Sequence, residues 1–539
     1  MKKNTCKILI TILFLMILSG CKEQFDIYPI NPNVSGDKSS VPSSYLLGKV
    51  LFEIYNGGGT TDGRPGSVQE GPWDQLMRWN KYITGNNNNY GGSNSYNWSS
   101  SANMYNLIKN INKMEEQAFK SSGSKTNAYS AIGKFLRAYS FIWFTQRVGD
   151  IPMSEAGKGL DNLTPKFDTQ KDVYIQCLKL LEDANTDLAA IIPTVTTATN
   201  IDGDIYYGND LKQWQKVVNT YKLRVLISLS RRADDTADLG IKQKFADVIS
   251  NPTKYPIFKS NADNLQFKFN QLYNPYPPYP YTGIYADQVN VGDTYLKLTT
   301  PVKDPRTFIV ASPAPAQLKA GKTIADFTAY VGADNSIPQS ILITEAATGK
   351  YSYVNYNRYF TVSVLVSPPE PYIILGYSEL CFNIAEAANR GWITADAATH
   401  YTNGIKASLS FYGLSDGTVL SIGDAFGKPF GNVTVSTTDF LAGTGVVYKG
   451  NNTDGLNQIL QQKYVSMFQN SGWEPFYNQR RTGIPMFSQG VGTNSAGKIP
   501  KRWAYPNDEK NNNSVNANEA IQRQFNGNDD LNAMIWMVK

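Results

Sequence analysis

Two stretches of this 539-residue chain set flat aromatic rings beside directional hydrogen-bonding groups. Residues 73–98 hold Trp73, Asp74, Arg78, Trp79, Tyr82, Tyr90, Tyr96, Asn97 and Trp98. Residues 273–285 hold Tyr273, Tyr276, Tyr279, Tyr281 and Tyr285 on a backbone stiffened by prolines. This mixture suits sugar recognition. The C–H face of a pyranose packs on Trp or Tyr, and its rim hydroxyls need amides, carboxylates or guanidinium groups. The two loops are expected to meet and present these rings to a ligand. A competing reading packs the same rings between loop and core, because large aromatics are commonly well buried. Trp73 and Trp79 flank Leu76 and Met77 at helical spacing and fit that reading. The loops hold so few aliphatic residues that some of the set is expected to stay exposed. Aromatic clefts also accept peptide side chains, so an oligosaccharide or a peptide remains open as ligand.

Bond-breaking chemistry finds less support. The single histidine, His400, excludes a metal site built on two histidines and lacks visible partners for a triad. A glycoside hydrolase needs two carboxylates facing each other across a sugar. Asp62, Glu70, Asp74, Asp287 and Asp293 are available, but no spacing pairs them. Gly321-Lys322-Thr323 imitates the end of a phosphate loop, with Ala316 where the first glycine belongs. Asn200, Asp202 and Asp204 alternate like calcium ligands, yet Ile205 replaces the turn glycine and Leu211 the terminal glutamate. No catalytic residue, metal or cofactor is assigned. A surface hydrolase and an adhesin or coat protein stay as alternatives to a binding protein.

The first residues bear on location. Lys2, Lys3 and Lys7 precede an apolar run from Ile8 to Leu18, and Leu18-Ser19-Gly20-Cys21 closes it. That is the order of a bacterial export signal, and the run is too short to span a bilayer stably. The closing residues resemble the lipobox of bacterial lipoproteins. Residues 1–20 are then a cleaved signal peptide, and Cys21 is the lipidated mature N-terminus, held in lipid by several acyl chains. The other reading is an ordinary secretory signal with a chance cysteine. Cleavage removes three lysines and no acids, leaving 48 basic against 45 acidic residues, a net charge of +3. Near-neutrality argues against a nucleic-acid partner. Cys177 and Cys381 remain, each among apolar helical neighbours and expected as buried free thiols.

Behind the loops stand strongly periodic helices. Tyr129, Ile132, Phe135, Leu136, Tyr139, Ile142 and Trp143 fall at three-and-four spacing. Val173, Cys177, Leu181, Ala184 and Leu188 repeat the pattern, and Asp210 caps a third helix through Trp214, Val217 and Leu223. Tyr377, Leu380, Ile384 and Ala388 form a stripe ended by Gly391; Thr394 is the expected cap of the next helix. Helices joined by so few residues pack antiparallel. The predicted fold is mainly α: tetratricopeptide-like helix pairs forming a superhelical frame, with a large irregular loop-rich region carrying a few short strands. Residues 21–539 read as one domain. The frame lies mainly in 100–250 and 372–485, the ligand region mainly in 57–98, 260–370 and 415–450. Short strands are expected in 300–365 and 415–450.

Four ordered blocks make the mature chain resemble the SusD/RagB nutrient-binding outer-membrane lipoproteins of Bacteroidetes-type bacteria. The first is Lys134-Phe135-Leu136-Arg137-Ala138-Tyr139, leading to Val148-Gly149-Asp150-Ile151-Pro152. The second is Asp204-Ile205-Tyr206-Tyr207-Gly208 with Leu223-Arg224-Val225-Leu226. The third is Leu375-Gly376-Tyr377-Ser378-Glu379-Leu380 with Ala385-Glu386-Ala387. The last is Gln462-Lys463-Tyr464, Trp473-Glu474 and Arg480-Arg481-Thr482-Gly483-Ile484-Pro485. The resemblance implies a lid on a SusC-like TonB-dependent transporter, anchored in outer-membrane lipid and facing the cell exterior. Such a lid captures oligosaccharide or peptide and delivers it unbroken. Glu23 and Asp26 resemble the acidic signal for the outer face, with Lys22 as a departure. Arg137, Glu379, Glu386 and Arg481 are expected as buried partners joining helices.

Overall fold

The computed structural model describes residues 41–55, 70–87, 94–277, 287–361 and 370–539. The export segment, Cys21, Tyr90, Tyr279, Tyr281 and Tyr285 lie outside these residues. Seven helices open the frame: α1 (Ser43–Tyr55), α2 (Gln75–Trp79), α3 (Tyr105–Ser122), α4 (Ala128–Val148), α5 (Gln170–Ile191), α6 (Leu211–Ser228) and α7 (Ile241–Ser250). α8 (Tyr377–Asn389), α9 (Ala397–Phe411), α10 (Thr453–Ser466), α11 (Glu474–Thr482) and α12 (Ser514–Phe525) complete it.

Side chains fix where these helices begin. Asn127 and Ser130 form a reciprocal capping box at α4, Thr169 accepts from the Asp172 N–H at α5, and Asp210 caps α6 as the sequence predicts. At α9 the expected cap is corrected. Asp396, two residues beyond Thr394, accepts from the Ala398 and Thr399 N–H groups. A carboxylate near two orphan donors and the positive helix end outcompetes a hydroxyl further out.

Consecutive helices pack as pairs: α3 on α4, α4 on α5, α5 on α6, α8 on α9, with α8 also against α6 and α10. This is the tetratricopeptide-like frame. Gly404 permits the close approach of α9 to α8, since a Cβ there would stand 2.8 Å from the Phe382 ring. A continuous apolar core runs from Leu46 to Val538. None of the helices among the described residues is long and apolar enough to cross a membrane.

The strands depart from expectation. β1 (Ile83–Gly85) pairs with β3 (Val289–Val291), β2 (Leu265–Phe267) with β4 (Tyr372–Leu375), and β5 (Val419–Gly423) with β6 (Pro429–Thr434), all antiparallel. Only β5–β6 falls where the sequence places strands. Residues 300–361 instead form short helices and isolated bridges such as Ala311 to Val354. The other strands are three- and four-residue clamps between distant segments, too short for alternation to register.

Ion pairs cross-link the frame as expected. Arg481 on α11 meets Glu386 on α8, with Nη2 2.9 Å from Oε2, and both residues are buried. Arg224 on α6 grips Glu379 on α8, with Nε 2.7 Å from Oε1. Arg137 on α4 holds Glu115 on α3 at 2.7 Å. Cys177 and Cys381 are free and buried; burial pushes the Cys381 thiol up to about 11.

The Arg481 guanidinium overcomes desolvation and holds the Glu386 carboxyl at about 2. Arg481→Met is expected to lower unfolding free energy by about 3–5 kcal/mol, because it strands a buried carboxylate; the Glu386→Met, Arg481→Met double variant should lose less. In wild type, the Glu386 contribution is present above the unfolded carboxyl value of about 4.3 and drains away as pH falls towards 2. Urea unfolding of the three proteins across pH 2–7 checks both statements.

Candidate functional site

The predicted aromatic residues divide between packing and surface. Tyr82 stacks on Tyr464 with centroids 4.6 Å apart, and its hydroxyl donates to the Tyr464 carbonyl at 2.7 Å. Tyr96 donates to the Trp79 carbonyl, and Trp98 stacks on Trp503 at 3.8 Å. Tyr82, Tyr96, Trp98 and Tyr276 are all buried, so in this conformation their rings face protein. Trp79 is half-buried, with its indole N–H on the Ser95 carbonyl and its ring 5.7 Å from Trp473. Tyr273 is 79% exposed.

Trp73 joins the two aromatic loops. Its indole N–H donates to the Tyr276 hydroxyl at 2.7 Å, and its backbone N–H to Gln469 Oε1 at 2.7 Å. Its ring lies 4.7 Å from Tyr359 and 5.1 Å from Phe360. The backbone there has φ +70°, a conformation that costs a bulky L residue on the order of 1–3 kcal/mol. Such strain persists only where neighbours over-determine it, and two hydrogen bonds and two rings do so here. The residue stays half-buried, leaving part of the indole at the surface.

Other rings extend this surface, and the sequence argument missed them. Tyr55, at the end of α1, stacks on Phe267 at 4.0 Å and lies edge-on to Phe269 at 6.0 Å. Phe269 in turn meets Tyr276 at 5.1 Å, and Phe52 is 39% exposed. Tyr356 and Arg358 sit beside Phe360 and Tyr359, and Arg358 pairs with Glu370. Tyr55, Glu70, Trp73, Tyr276, Phe360 and Glu370 thus come from four separate stretches of sequence. Phe52 and Tyr55 read as members of an amphipathic helix, which hid their surface faces.

Among the candidate carboxylates, Glu70 accepts from Arg147 Nη2 at 2.6 Å and Trp143 Nε1 at 2.9 Å within the core. Asp293 is buried and paired with Lys297. Asp204 folds its own loop, accepting from the N–H groups of Tyr206 and Asn209 and from the Trp214 indole. Asp74 differs: burial raises its carboxyl to about 7, against the lowering effects of the Gly71 N–H and the Arg78 charge. A carboxyl that changes charge near neutrality, beside half-buried rings, can both donate to and accept from a ligand hydroxyl.

Fold and site together define a helical-repeat scaffold whose loops carry an aromatic surface. The family model for SusD-like proteins, described as starch-binding and associating with the outer membrane, matches residues 37–506, and the chain belongs to that family. It is similar to two solved SusD homologues from Bacteroides fragilis. One is 28% identical with a TM-score of 0.77, covering 93% of this chain and 100% of that one. The other is 30% identical with a TM-score of 0.71, covering 93% and 99%. A chitin-binding SusD homologue from Flavobacterium johnsoniae shares the fold at 18% identity and a TM-score of 0.67, over 92% and 98% of the chains. No functionally curated protein matches the chain.

Asp74 gives this surface a pH signature. Its folded value of about 7 lies above the unfolded carboxyl value of about 3.9, so the folded state binds the extra proton and stability falls as pH rises between the two. Asp74→Asn is expected to gain about 1–2 kcal/mol over wild type at pH 8 and nothing at pH 4. Denaturant titrations at the two pH values measure the difference.

Proposed function

We propose that this protein is a cell-surface lipoprotein, anchored through Cys21, that captures an oligosaccharide and hands it unbroken to a SusC-like TonB-dependent transporter as its lid. The Trp73–Tyr276 hydrogen bond carries the reading, because it draws two aromatic loops together at a strained, half-exposed indole. Tyr273 and the exposed part of Trp73 are the stacking faces, with Asp74 as the directional partner. Tyr90, Tyr279, Tyr281 and Tyr285 are proposed to extend the same surface, and outer-membrane lipid holds the acylated N-terminus. The family description and the chitin-binding relative support a glycan over a peptide. Glu70 and Asp293 are engaged by Arg147 and Lys297, which supports binding rather than hydrolysis, because neither is left to face a second carboxylate across a sugar.

Glycan-array screening of the lipid-free ectodomain, followed by calorimetry on the best ligand, tests the reading. Tyr273→Ala is expected to weaken binding about five- to tenfold with an unchanged melting temperature, the size of one lost stacking contact. Trp73→Ala should lower both affinity and stability, because its ring also packs the loop base. Release of reducing ends by wild type would establish the hydrolase reading instead. Peptide binding without glycan binding would replace the ligand class. Radiolabelled palmitate should enter wild type and not Cys21→Ala.

A further inference from the structure

Away from the Trp73 surface, a cleft of about 750 Å³ opens between residues 301–327 and the segment that follows β6. That volume lies within the range of small-ligand sites. One wall holds Val302, Pro305 and Phe327; the other holds Val433, Val435 and Phe440. Phe327 is half-buried and rests on the buried Phe308 ring at 4.6 Å, so the floor is rigid and partly open. The lining contains no Trp, Tyr, Arg, Asn or Gln. It therefore lacks the flat indole or phenol faces and the forked hydrogen-bonding groups that suit a sugar.

Two charges and a strand edge supply the polar chemistry. Lys303 and Asp439 both line the cleft and are exposed, and neither side chain pairs with another described residue. Lys303 also stands at φ +55°, a left-handed conformation rarely adopted outside Gly, Asn and Asp. At the end of β6, the Val435 N–H donates to the Thr418 carbonyl, and the Val435 carbonyl accepts from the Gly417 N–H. Both backbone groups of Val435 therefore face β5. Antiparallel ladders alternate, so the N–H and C=O of Thr434 lie on the outer edge of the hairpin, and Thr434 lines the cleft.

We propose that this cleft is a second binding site, one that takes an extended peptide segment with an aliphatic centre flanked by an acidic and a basic residue. The segment adds to the outer edge of β6 through Thr434. Its aliphatic side chain enters between the Val302 and Val433 walls, its acid meets Lys303 and its base meets Asp439. Strand addition with alternate side chains in pockets is a general mode of peptide capture. The site is independent of the glycan reading and survives its failure.

Fluorescence anisotropy of the full mature chain with a fluorescein-capped, C-terminally amidated Glu-Val-Val-Lys peptide tests the site. Saturable binding is expected. Lys303→Glu and Asp439→Lys should each weaken it by about fivefold or more at an unchanged melting temperature, since both side chains are exposed. The double reversal should recover affinity for Lys-Val-Val-Glu. Tyr273→Ala should leave peptide binding unchanged. No saturation up to about 1 mM peptide, or single variants that bind like wild type, would overturn the proposal. Displacement of the peptide by chitohexaose or maltoheptaose would also overturn it, and would make the cleft a saccharide subsite.

Discussion

Arg147 ends α4 with its guanidinium buried among indoles, 3.7 Å from the Trp143 ring centroid, 4.5 Å from Trp503 and 4.9 Å from Trp473. Removing such a charge from water costs several kcal/mol, offset here by Glu70 at 2.6 Å and by the aromatic faces. The contact matters because of what each partner belongs to. Trp143 is on α4, Trp473 immediately precedes α11, and Glu70 stands three residues before Trp73 in the loop that carries the candidate surface. The Arg147 carbonyl accepts from the Trp503 N–H at 3.0 Å, and Trp503 stacks on Trp98. The Glu70 carbonyl accepts from the Tyr372 hydroxyl on β4. One buried cation thus fixes both aromatic loop bases to the helical frame.

That arrangement explains the division of labour among the aromatic residues. A long loop with few aliphatic side chains cannot form a core of its own, so its large rings are spent on attachment. Trp98, Tyr96, Tyr82 and Tyr276 serve in this way, each with its polar tip satisfied or its face stacked. Once the bases are held, a residue such as Trp73 can be kept at φ +70° without collapsing into a relaxed turn. Tyr273 can then remain at the surface beside it.

The frame uses the same logic at larger scale. Glu386 and Glu379 both project from α8 into the core, one to Arg481 on α11 and the other to Arg224 on α6. Lys463 on α10 reaches Asn383 at 2.7 Å and Asn478 at 2.9 Å from the same side. Buried charges penalise any packing that leaves one of them alone, so helices distant in sequence are held to one mutual arrangement.

The sequence alone determined the class of fold, because three-and-four periodicity and side-chain caps are local and survive without knowledge of the rest of the chain. It also identified the charged positions of the frame: Arg137, Glu379, Glu386 and Arg481 read as helix-joining residues and are so placed. Three-residue strands escaped it, since two or three alternations carry no signal, and Asp396 displaced Thr394 as a cap for reasons of spacing within one turn. Only the tertiary structure decided which rings pack and which face outward. Tyr273 and Tyr276 are three residues apart and alike in chemistry, yet one is exposed and the other lies under the Trp73 indole. Burial depends on what arrives from the far side, here a loop some two hundred positions earlier in the chain, and no local pattern records that encounter.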